Sequence, residues 1–246
     1  MGFMKAIEGI IFDYGGTIDS RGVHWSEVIW QAYCQAFERH LDLRVEKAVF
    51  RDAYVAAERE LARVRHIVPS DNFHDLLRKK MVIEVDWLVA NNHIDPLEAE
   101  KTSLATQVAD LCYQATRECI DEAMPVLETL HGRYPMMLVS NFYGNIDEVL
   151  RDFGLRHLFK GIIESAVVGV RKPNPTLFRL GVDALELRPE QVLVVGDSLT
   201  KDILPAESLG CHTLWLKGKG WTDDEDAIER PGIITNLSQV LDALAV

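Results

Sequence analysis

The sequence predicts an α/β fold, a doubly wound, Rossmann-like parallel sheet with a helical bundle inserted after its first strand. From residue 123 onward, short apolar runs that end in turn residues alternate with amphipathic stretches, a pattern typical of a parallel sheet with right-handed crossovers. Residues 10–12 form a similar apolar run, but residues 24–117 show helical spacing throughout. We therefore predict an α/β core domain at 1–19 and 119–246 and an inserted helical domain at 20–118.

The composition is that of a globular protein with an acidic surface. The chain has 246 residues, of which 48% are hydrophobic and 26% charged, and its net charge is -12. Binding to nucleic acid needs clustered Lys and Arg, so this charge argues against such a partner but not against a small anionic substrate. No apolar run approaches the ~20 residues that cross a bilayer, which argues against a membrane partner.

Cysteine usage and the first residues bear on the compartment. The four cysteines include no C-x-x-C pair, so they carry no zinc or redox signature and are expected to be reduced thiols. The start of the chain lacks the long apolar segment of a signal peptide. We expect a cytoplasmic protein, and the sequence does not specify its oligomeric state.

The first predicted strand ends at a carboxylate. The apolar residues 10–12 precede Asp13, and Gly15 and Gly16 then allow a sharp turn. A buried strand places its last side chain at the carboxyl edge of the sheet, where open α/β folds bind ligands. The alternative interpretation is a β-turn in which Asp13 has its usual turn role.

The remaining elements follow from periodicity and turn signals. The spacing predicts four helices in the inserted domain: one that starts near His24, then Val45–Arg65, Asn72–Asn91 and Pro96–Arg117. In the core it predicts helices at 124–133, 146–153, 176–185 and 203–209, and strands at 136–139, 161–164, 192–195, 213–216 and 233–234.

Polar residues follow three of these strands and should meet in one crevice. They are Asp13, Ser140 with Asn141, and Asp197. Two carboxylates side by side repel each other unless a cation lies between them, and Mg²⁺ accepts a few carboxylates together with water and substrate phosphate. Mg²⁺ and Lys172 would neutralise phosphate oxygens and Ser140 would hydrogen-bond them, so that an aspartate could attack phosphorus.

Four motifs carry a resemblance to a known family. They are Phe12-Asp13-Tyr14-Gly15-Gly16-Thr17, Val139-Ser140-Asn141, Arg171-Lys172-Pro173 and Val195-Gly196-Asp197-Ser198-Leu199-Thr200-Lys201-Asp202. In this order the sequence resembles the haloacid dehalogenase superfamily, specifically its phosphohydrolases with a helical cap. The resemblance covers the whole chain, because the helical insertion lies where the family has its cap domain.

The resemblance implies a role for each matching residue. Asp13 would be the nucleophile and a metal ligand, and the Gly15 carbonyl and Asp197 would also contact Mg²⁺. Asp202 would orient the metal shell or its water. Ser140, Asn141 and Lys172 would hold the phosphoryl group, with Lys172 also acting in catalysis. The implied partner is a small phosphorylated substrate.

One position departs from the family pattern. Hydrolases of this family have a second Asp two positions after the nucleophile, which protonates the leaving group and then activates water; this chain has Gly15 there. Loss of a general acid–base typically costs ~10²–10⁴ in rate. Leaving groups that need no proton, such as those of acyl phosphates, would suffer least. A non-catalytic or weakly active phosphoryl-binding relative is therefore the alternative.

Two other activities of the family are less compatible with the residues. The family's dehalogenases have a Tyr two positions after the nucleophile, whereas Tyr14 lies only one position on. Its phosphonatases have a small residue at the position of Gly15 and add a Schiff-base lysine from the cap. The cap lysines of this chain do not stand in the family's Met-Gly and Lys-His surroundings: Lys47, Lys79, Lys80 and Lys101.

Two further candidates have simpler explanations. His24 could replace the missing proton donor, although we expect an exposed histidine at a helix start. Arg63, Arg65 and His66 could reach an anionic substrate, but cations near a helix C-terminus commonly complement the helix dipole.

Overall fold

The computed structural model describes residues 7–39 and 44–246; residues 1–6 of the predicted core domain lie outside them. In this described part of the chain, six parallel strands form one sheet in the order β3-β2-β1-β4-β5-β6. The strands are β1 Gly9–Phe12, β2 Met136–Ser140, β3 Gly161–Glu164, β4 Val192–Gly196, β5 His212–Leu216 and β6 Ile233–Ile234. The predicted parallel α/β sheet is thus confirmed.

Strand β1 lies in the middle of the sheet, between β2 and β4. Phe12 is in register with Leu138 on one side and with Val195 on the other. From β1 the chain continues outward through β2 and β3, whereas β4, β5 and β6 extend in the opposite direction. The strand order therefore reverses between β1 and β4, and open α/β sheets bind ligands at such a point.

Successive residues of β1 enter hydrophobic clusters on opposite faces of the sheet. Ile10 and Phe12 belong to one cluster, and Ile11 belongs to the other together with Phe178 and Val182. All of these side chains are fully buried. The apolar run of β1 is continuous because helices cover the sheet on both faces. The helices of the core are α6 Ile146–Asp152, α7 Ser165–Val168, α8 Thr176–Leu185, α9 Leu204–Ser208, α10 Asp223–Asp226 and α11 Gln239–Leu244.

Within the described residues, five helices lie between β1 and β2, and we call them the helical insertion. They are α1 Trp25–Arg39, α2 Lys47–Arg63, α3 Phe73–Ala90, α4 Pro96–Thr102 and α5 Leu104–His131. The predicted helix Pro96–Arg117 is wrong as one element, because Ser103 adopts a left-handed conformation with φ 49° and divides it.

The separate helix predicted at 124–133 is also wrong, since α5 passes through Pro125 without a break. Pro125 removes only one backbone hydrogen bond, to the exposed Asp121, where water can replace it. The predicted domain boundary between residues 118 and 119 falls inside this continuous helix, and the division into two domains remains a proposal. None of the helices in the described residues is long and apolar enough to cross a membrane.

Candidate active site

A cavity of about 580 Å³ opens at the carboxyl ends of β1, β2 and β4, beneath the helical insertion. Its walls come from both the sheet edge and helices α2 and α3. All seven residues that the sequence predicts for the site line this single cavity: Asp13, Gly15, Ser140, Asn141, Lys172, Asp197 and Asp202.

Three carboxylates form the floor of the cavity. Oxygen atoms of Asp13, Asp197 and Asp202 all lie within 4.8 Å of one another. Asp13 follows β1, and its backbone N–H donates to the carbonyl of Val195 (3.0 Å). Asp202 lies in a π-helical turn after β4, where its Oδ2 accepts from the backbone N–H of Ser198 (3.0 Å). The strand ends and this turn therefore bring together carboxylates that are far apart in sequence.

Lys172 joins two of the carboxylates. Its Nζ lies 2.7 Å from Oδ1 of Asp13 and 2.7 Å from Oδ1 of Asp202. Asn141 holds the lysine in place, because its Oδ1 accepts from the backbone N–H of Lys172 (2.9 Å) and its Nδ2 donates to the Lys172 carbonyl (3.2 Å). The Ser140 hydroxyl forms no hydrogen bond with another described side chain or backbone group. The structure thus leaves Ser140 available to a ligand and uses both ends of the Asn141 amide to position Lys172.

The cluster has more negative than positive charge. Burial, followed by the nearby Asp202 and Asp13, raises the pKa of Asp197 well above its usual value, and burial raises the pKa of Asp202. Burial disfavours the Lys172 ammonium, but Asp13 and Asp202 outweigh it and raise the pKa of Lys172. When all four groups are ionised, one ammonium among three carboxylates leaves an excess of negative charge that a proton or a bound cation can relieve, and carboxylate oxygens are the donors that Mg²⁺ prefers. The residues present therefore fit a divalent cation.

Glycine is required at one of the two positions that follow Tyr14. Gly16 has φ 97°, and a Cβ there would lie 2.2 Å from Oδ2 of Asp197. A Cβ at Gly15 would instead meet its nearest atoms, on Asp19 and Trp25, at 4.0 Å, an ordinary van der Waals contact. Lack of space therefore does not explain the missing carboxylate at Gly15.

Tyr14 does not face the cavity. Its side chain is fully buried, and its ring packs edge-on against Phe142 (centroids 5.7 Å apart) and Phe73 (6.2 Å). It is not among the residues that line the site, so it does not take the place of a tyrosine two positions after Asp13.

His24 differs from the exposed residue that we expected. It is half-buried, lines the cavity and packs against Trp221 with ring centroids 5.1 Å apart, because the loop before α10 covers it. Burial, with contributions from Lys201 and Lys80, lowers the pKa of His24 to about 4. Its Nδ1 accepts from the backbone N–H of Ser26 (3.2 Å). A neutral imidazole is therefore present at pH 7.

The cationic residues at the C-terminal end of α2 have contacts that indicate a structural role. Arg63 donates to Oε2 of Glu60 (2.7 Å), and His66 contacts the other oxygen of the same carboxylate (3.0 Å). Arg63, Arg65 and His66 are all absent from the cavity lining. The interpretation that these residues stabilise the helix end is the one the geometry supports.

Sequence reasoning missed the upper wall of the cavity, which is built by Tyr54, Glu58, Lys80, Tyr143 and Trp221. Lys80 lies three and four residues after the buried Leu77 and Leu76, so it falls on the apolar face of α3. A charged residue on such a face was the available signal, because lysine is rarely buried unless it is paired.

Comparison with known proteins agrees with this architecture. The profile of the haloacid dehalogenase-like hydrolases matches residues 7–210. A central parallel sheet with three carboxylates and a lysine at its switch point, beneath a helical insertion, defines the class of protein. The chain belongs to the haloacid dehalogenase-like hydrolase family.

Individual relatives share only part of their sequence with this chain. The mouse haloacid dehalogenase-like hydrolase domain-containing protein 3 is 29% identical over 147 residues, which cover 56% of this chain and 59% of that protein. Glyceraldehyde 3-phosphate phosphatase of Pyrococcus furiosus is 35% identical over 100 residues, 40% of this chain and 41% of that enzyme. The aligned part thus spans roughly half of these relatives. A structure of the HAD hydrolase YfnB from Bacillus subtilis superimposes with a TM-score of 0.61 at 20% sequence identity. The match covers 98% of this chain and 100% of the YfnB chain, so the two proteins share the fold.

Proposed function

We propose that this protein is a Mg²⁺-dependent phosphohydrolase that acts on a small phosphorylated metabolite through an aspartyl-phosphate intermediate on Asp13. The observation that carries the proposal is the cluster of Asp13, Asp197 and Asp202, whose oxygens lie within 4.8 Å of one another, with Lys172 in contact with two of them. The phosphatase activity named for the Pyrococcus furiosus relative supports the same class of reaction.

The residues suggest a two-step transfer. The Asp13 carboxylate attacks phosphorus, a P–O bond to the phosphoryl group forms on Asp13, and the bond to the leaving oxygen breaks. Lys172 and the free hydroxyl of Ser140 bind phosphoryl oxygens and stabilise their charge. Water then attacks phosphorus, which releases phosphate and restores Asp13. Asp13, Asp197, Asp202 and the Gly15 carbonyl would hold Mg²⁺, which when bound neutralises charge on the phosphoryl oxygens.

Gly15 narrows the substrates that this site can process. It cannot give a proton to the leaving oxygen, and it cannot take one from the attacking water. Substrates with a good leaving group, such as acyl and aryl phosphates, do not need a proton on the leaving oxygen. Hydrolysis of the aspartyl-phosphate still lacks a group that takes the proton from water. We therefore expect slow hydrolysis of the aspartyl-phosphate and its accumulation during turnover.

A phosphoryl-binding protein without turnover is the second candidate, and Gly15 is the observation that favours it. A phosphonatase would need a free amine to form a Schiff base. Lys80 does line the cavity, but Glu58 lies 2.5 Å from its Nζ and outweighs burial to raise the pKa of Lys80. Lys47 and Lys79 pair with Glu27 and Asp71. A dehalogenase is disfavoured because Tyr14 is buried away from the cavity.

The proposal includes the kind of partner and the cellular compartment of the protein. The net charge of -12 supports a small substrate rather than nucleic acid. The four free cysteines support a reducing compartment such as the cytoplasm.

Phosphate release from acetyl phosphate and from p-nitrophenyl phosphate tests the proposal, with Mg²⁺ or with EDTA, for the wild type and Asp13→Asn. We expect Mg²⁺-dependent hydrolysis of acetyl phosphate that Asp13→Asn abolishes. Binding of Mg²⁺ or phosphate without hydrolysis of either compound would support the second candidate. Hydrolysis that persists in Asp13→Asn would reject Asp13 as the nucleophile.

A further inference from the structure

We propose that the upper wall of the cavity selects an uncharged, polyhydroxylated leaving group, such as that of a sugar phosphate, and rejects leaving groups that carry a carboxylate, with Glu58 as the specificity-determining residue. This inference rests on the proposed phosphohydrolase function and names its substrate class. It depends on three features of the wall: a partly free carboxylate, an already paired lysine and a set of aromatic rings.

The Glu58 carboxylate has one oxygen in use and one available. Its Oε1 accepts from Nζ of Lys80 (2.5 Å) and from the hydroxyl of Tyr143 (3.0 Å). Among the described residues, no group donates to Oε2, and the side chain is 36% exposed within the wall of the cavity. Burial opposes the ionised form, but Lys80 and the two hydrogen bonds outweigh it and lower the pKa of Glu58. A ligand therefore meets an ionised acceptor.

The ammonium of Lys80 is already paired and is not available to a ligand. The side chain is only 5% exposed. Its ammonium donates to Glu58 and lies over the ring of Tyr54, 4.4 Å from the centroid. A ligand carboxylate would have to displace Glu58 from this ammonium and would be repelled by Glu58 while doing so. The pair thus works against an anionic leaving group, since specificity often comes from unfavourable charges as much as from favourable contacts.

Aromatic rings flank the carboxylate and suit the carbon skeleton of a sugar. Tyr54 and Tyr143 contact the Glu58–Lys80 pair, and Trp221 packs against Tyr54 with centroids 5.8 Å apart. Pockets of this kind bind ligands through apolar walls and a few polar groups that fix orientation. C–H groups of a polyol pack on such rings while its hydroxyls donate to an acceptor, which here is Oε2 of Glu58.

Three other cations in the lining, besides the lysine of the carboxylate cluster, do not reverse this preference. Lys217 is half-buried, but its ammonium already donates to a backbone carbonyl. Arg171 and Lys201 belong to the cavity wall but are exposed to solvent. Charges on exposed side chains are screened and contribute little to binding. Glu58 and Lys80 are the more buried charges at this end, so they dominate the selection.

Binding to a protein that cannot turn over separates this inference from the proposed function. All variants are made in the Asp13→Asn background and titrated calorimetrically, in the presence of Mg²⁺, with ribose 5-phosphate and with 2-phosphoglycolate. The measured quantity is the ratio of the two affinities. In the background protein we expect ribose 5-phosphate to bind about tenfold more tightly or better, the effect of one charge-assisted hydrogen bond.

Glu58→Gln should lower this ratio by about tenfold, because it removes the charge that repels a carboxylate and leaves the charge of Lys80 without a neutralising partner. The glutamine can still accept from Lys80 and Tyr143, so the wall keeps its shape. The matched control is Glu60→Gln, on the same helix but outside the cavity, and it should change the ratio less than about twofold.

The double variant Glu58→Gln/Lys80→Met covers the case in which the single variant fails to fold, since removing a buried pair together usually preserves stability. It should also bring the ratio close to one. A ratio that Glu58→Gln or the double variant leaves unchanged would overturn the inference, as would tighter binding of 2-phosphoglycolate to the background protein or binding of neither compound. Acetyl phosphate hydrolysis by the parent protein reports on the proposed function independently of this ratio.

Discussion

The ammonium of Lys172 lies 2.7 Å from Oδ1 of Asp13, which places the cation of the third motif on the candidate nucleophile. The same ammonium also contacts Asp202 at 2.7 Å, and the lysine side chain is only 2% exposed. One buried cation therefore serves two of three carboxylates. The remaining negative charge would link the stability of the fold to the binding of the proposed Mg²⁺.

Lys172→Met should destabilise the protein strongly in EDTA and less in Mg²⁺. Removing one partner of a buried ion pair costs about 3–5 kcal/mol, because it leaves the other charge unpaired; a bound divalent ion would restore part of this. Chemical denaturation with and without Mg²⁺ measures the difference. Lys160→Met, which removes a pair with Glu186 in which both side chains are exposed, is the control and should cost less than about 1 kcal/mol under both conditions. Equal losses for the two variants would contradict the role given to Lys172.

Gly16→Ala should remove activity and lower stability, because its Cβ would lie 2.2 Å from the Asp197 carboxylate at a φ of 97°. Gly154→Ala is the matched control, since Gly154 has φ 72° and nothing within 4 Å of an added Cβ. Both variants carry the backbone cost of a positive φ, about 1–3 kcal/mol. Only Gly16→Ala should also abolish phosphate release and Mg²⁺ binding. Normal Mg²⁺ binding by Gly16→Ala would argue that Asp197 is not a ligand.

The sequence predicts the sheet well because its strands are short apolar runs that end in turn residues. The predicted strand Gly161–Glu164 and helix Thr176–Leu185 have the observed bounds. The helix predicted to end at Arg117 fails, because it continues through Pro125 to His131. Proline is common in the first turn of a helix, so the sequence pattern does not distinguish a new helix at 124 from the continuation of α5.

The residues of the candidate site also fall into two groups, those that the sequence predicts and those that it does not. Asp13, Ser140 and Asp197 could be placed from sequence because they end or follow strands of one sheet, whose topology brings strand ends together. Glu58 and Lys80 could not be assigned to the cavity, because they lie on helices of the insertion. Which helix face meets the cleft depends on how the helices pack, and local periodicity does not contain that information.

Glu84→Gln should change how stability depends on pH. Burial raises the pKa of Glu84 from 4.5 to about 8, although Lys80 lowers it, and neither carboxylate oxygen has a hydrogen-bond partner. Between these two values the folded state binds more protons than the unfolded state, so the stability of the wild type falls as pH rises from 5 to 8.

The glutamine cannot ionise, so its stability should depend less on pH. Relative to the wild type it should gain on the order of 3 kcal/mol between pH 5 and pH 8, measured by urea denaturation at the two values. Glu60→Gln, which alters an exposed carboxylate outside the bundle interior, should follow the wild type. Parallel curves for Glu84→Gln and the wild type would show that Glu84 is already ionised in the folded protein at pH 5, which means that its pKa is close to the ordinary value.

His24→Asn should leave the pH dependence of kcat/KM unchanged between pH 5.5 and 8. The pKa of His24 is lowered to about 4, so the imidazole is neutral over this whole range and cannot act as the replacement acid. His24 lines the cavity, so a change in KM for acetyl phosphate is compatible with this prediction. A limb of the pH profile that disappears in His24→Asn would assign the proton transfer to this residue after all.

Gly15→Asp should add a proton-transferring group at a position where glycine cannot supply one. A side chain at Gly15 starts 4.0 Å from its nearest neighbours, Oδ2 of Asp19 and Nε1 of Trp25, so the substitution introduces a carboxylate without a steric conflict at Cβ. An alkyl phosphate has a poor leaving group and depends most on an acid. For such a substrate we expect kcat to rise by ~10²–10⁴, the typical contribution of general acid–base catalysis.

The choice of substrate and control makes this result specific to proton transfer. Acetyl phosphate has a good leaving group, so its first step should change little in Gly15→Asp, while the aspartyl-phosphate trapped by acid quench should decrease because water is now activated. Gly15→Asn has nearly the same shape but cannot transfer a proton at neutral pH, and it should behave like the wild type. An equal gain in Gly15→Asn would assign the effect to packing against Trp25. If Gly15→Asp gives no gain in a protein that already hydrolyses alkyl phosphates, another residue of the cavity supplies the acid, and Gly15 does not limit the reaction.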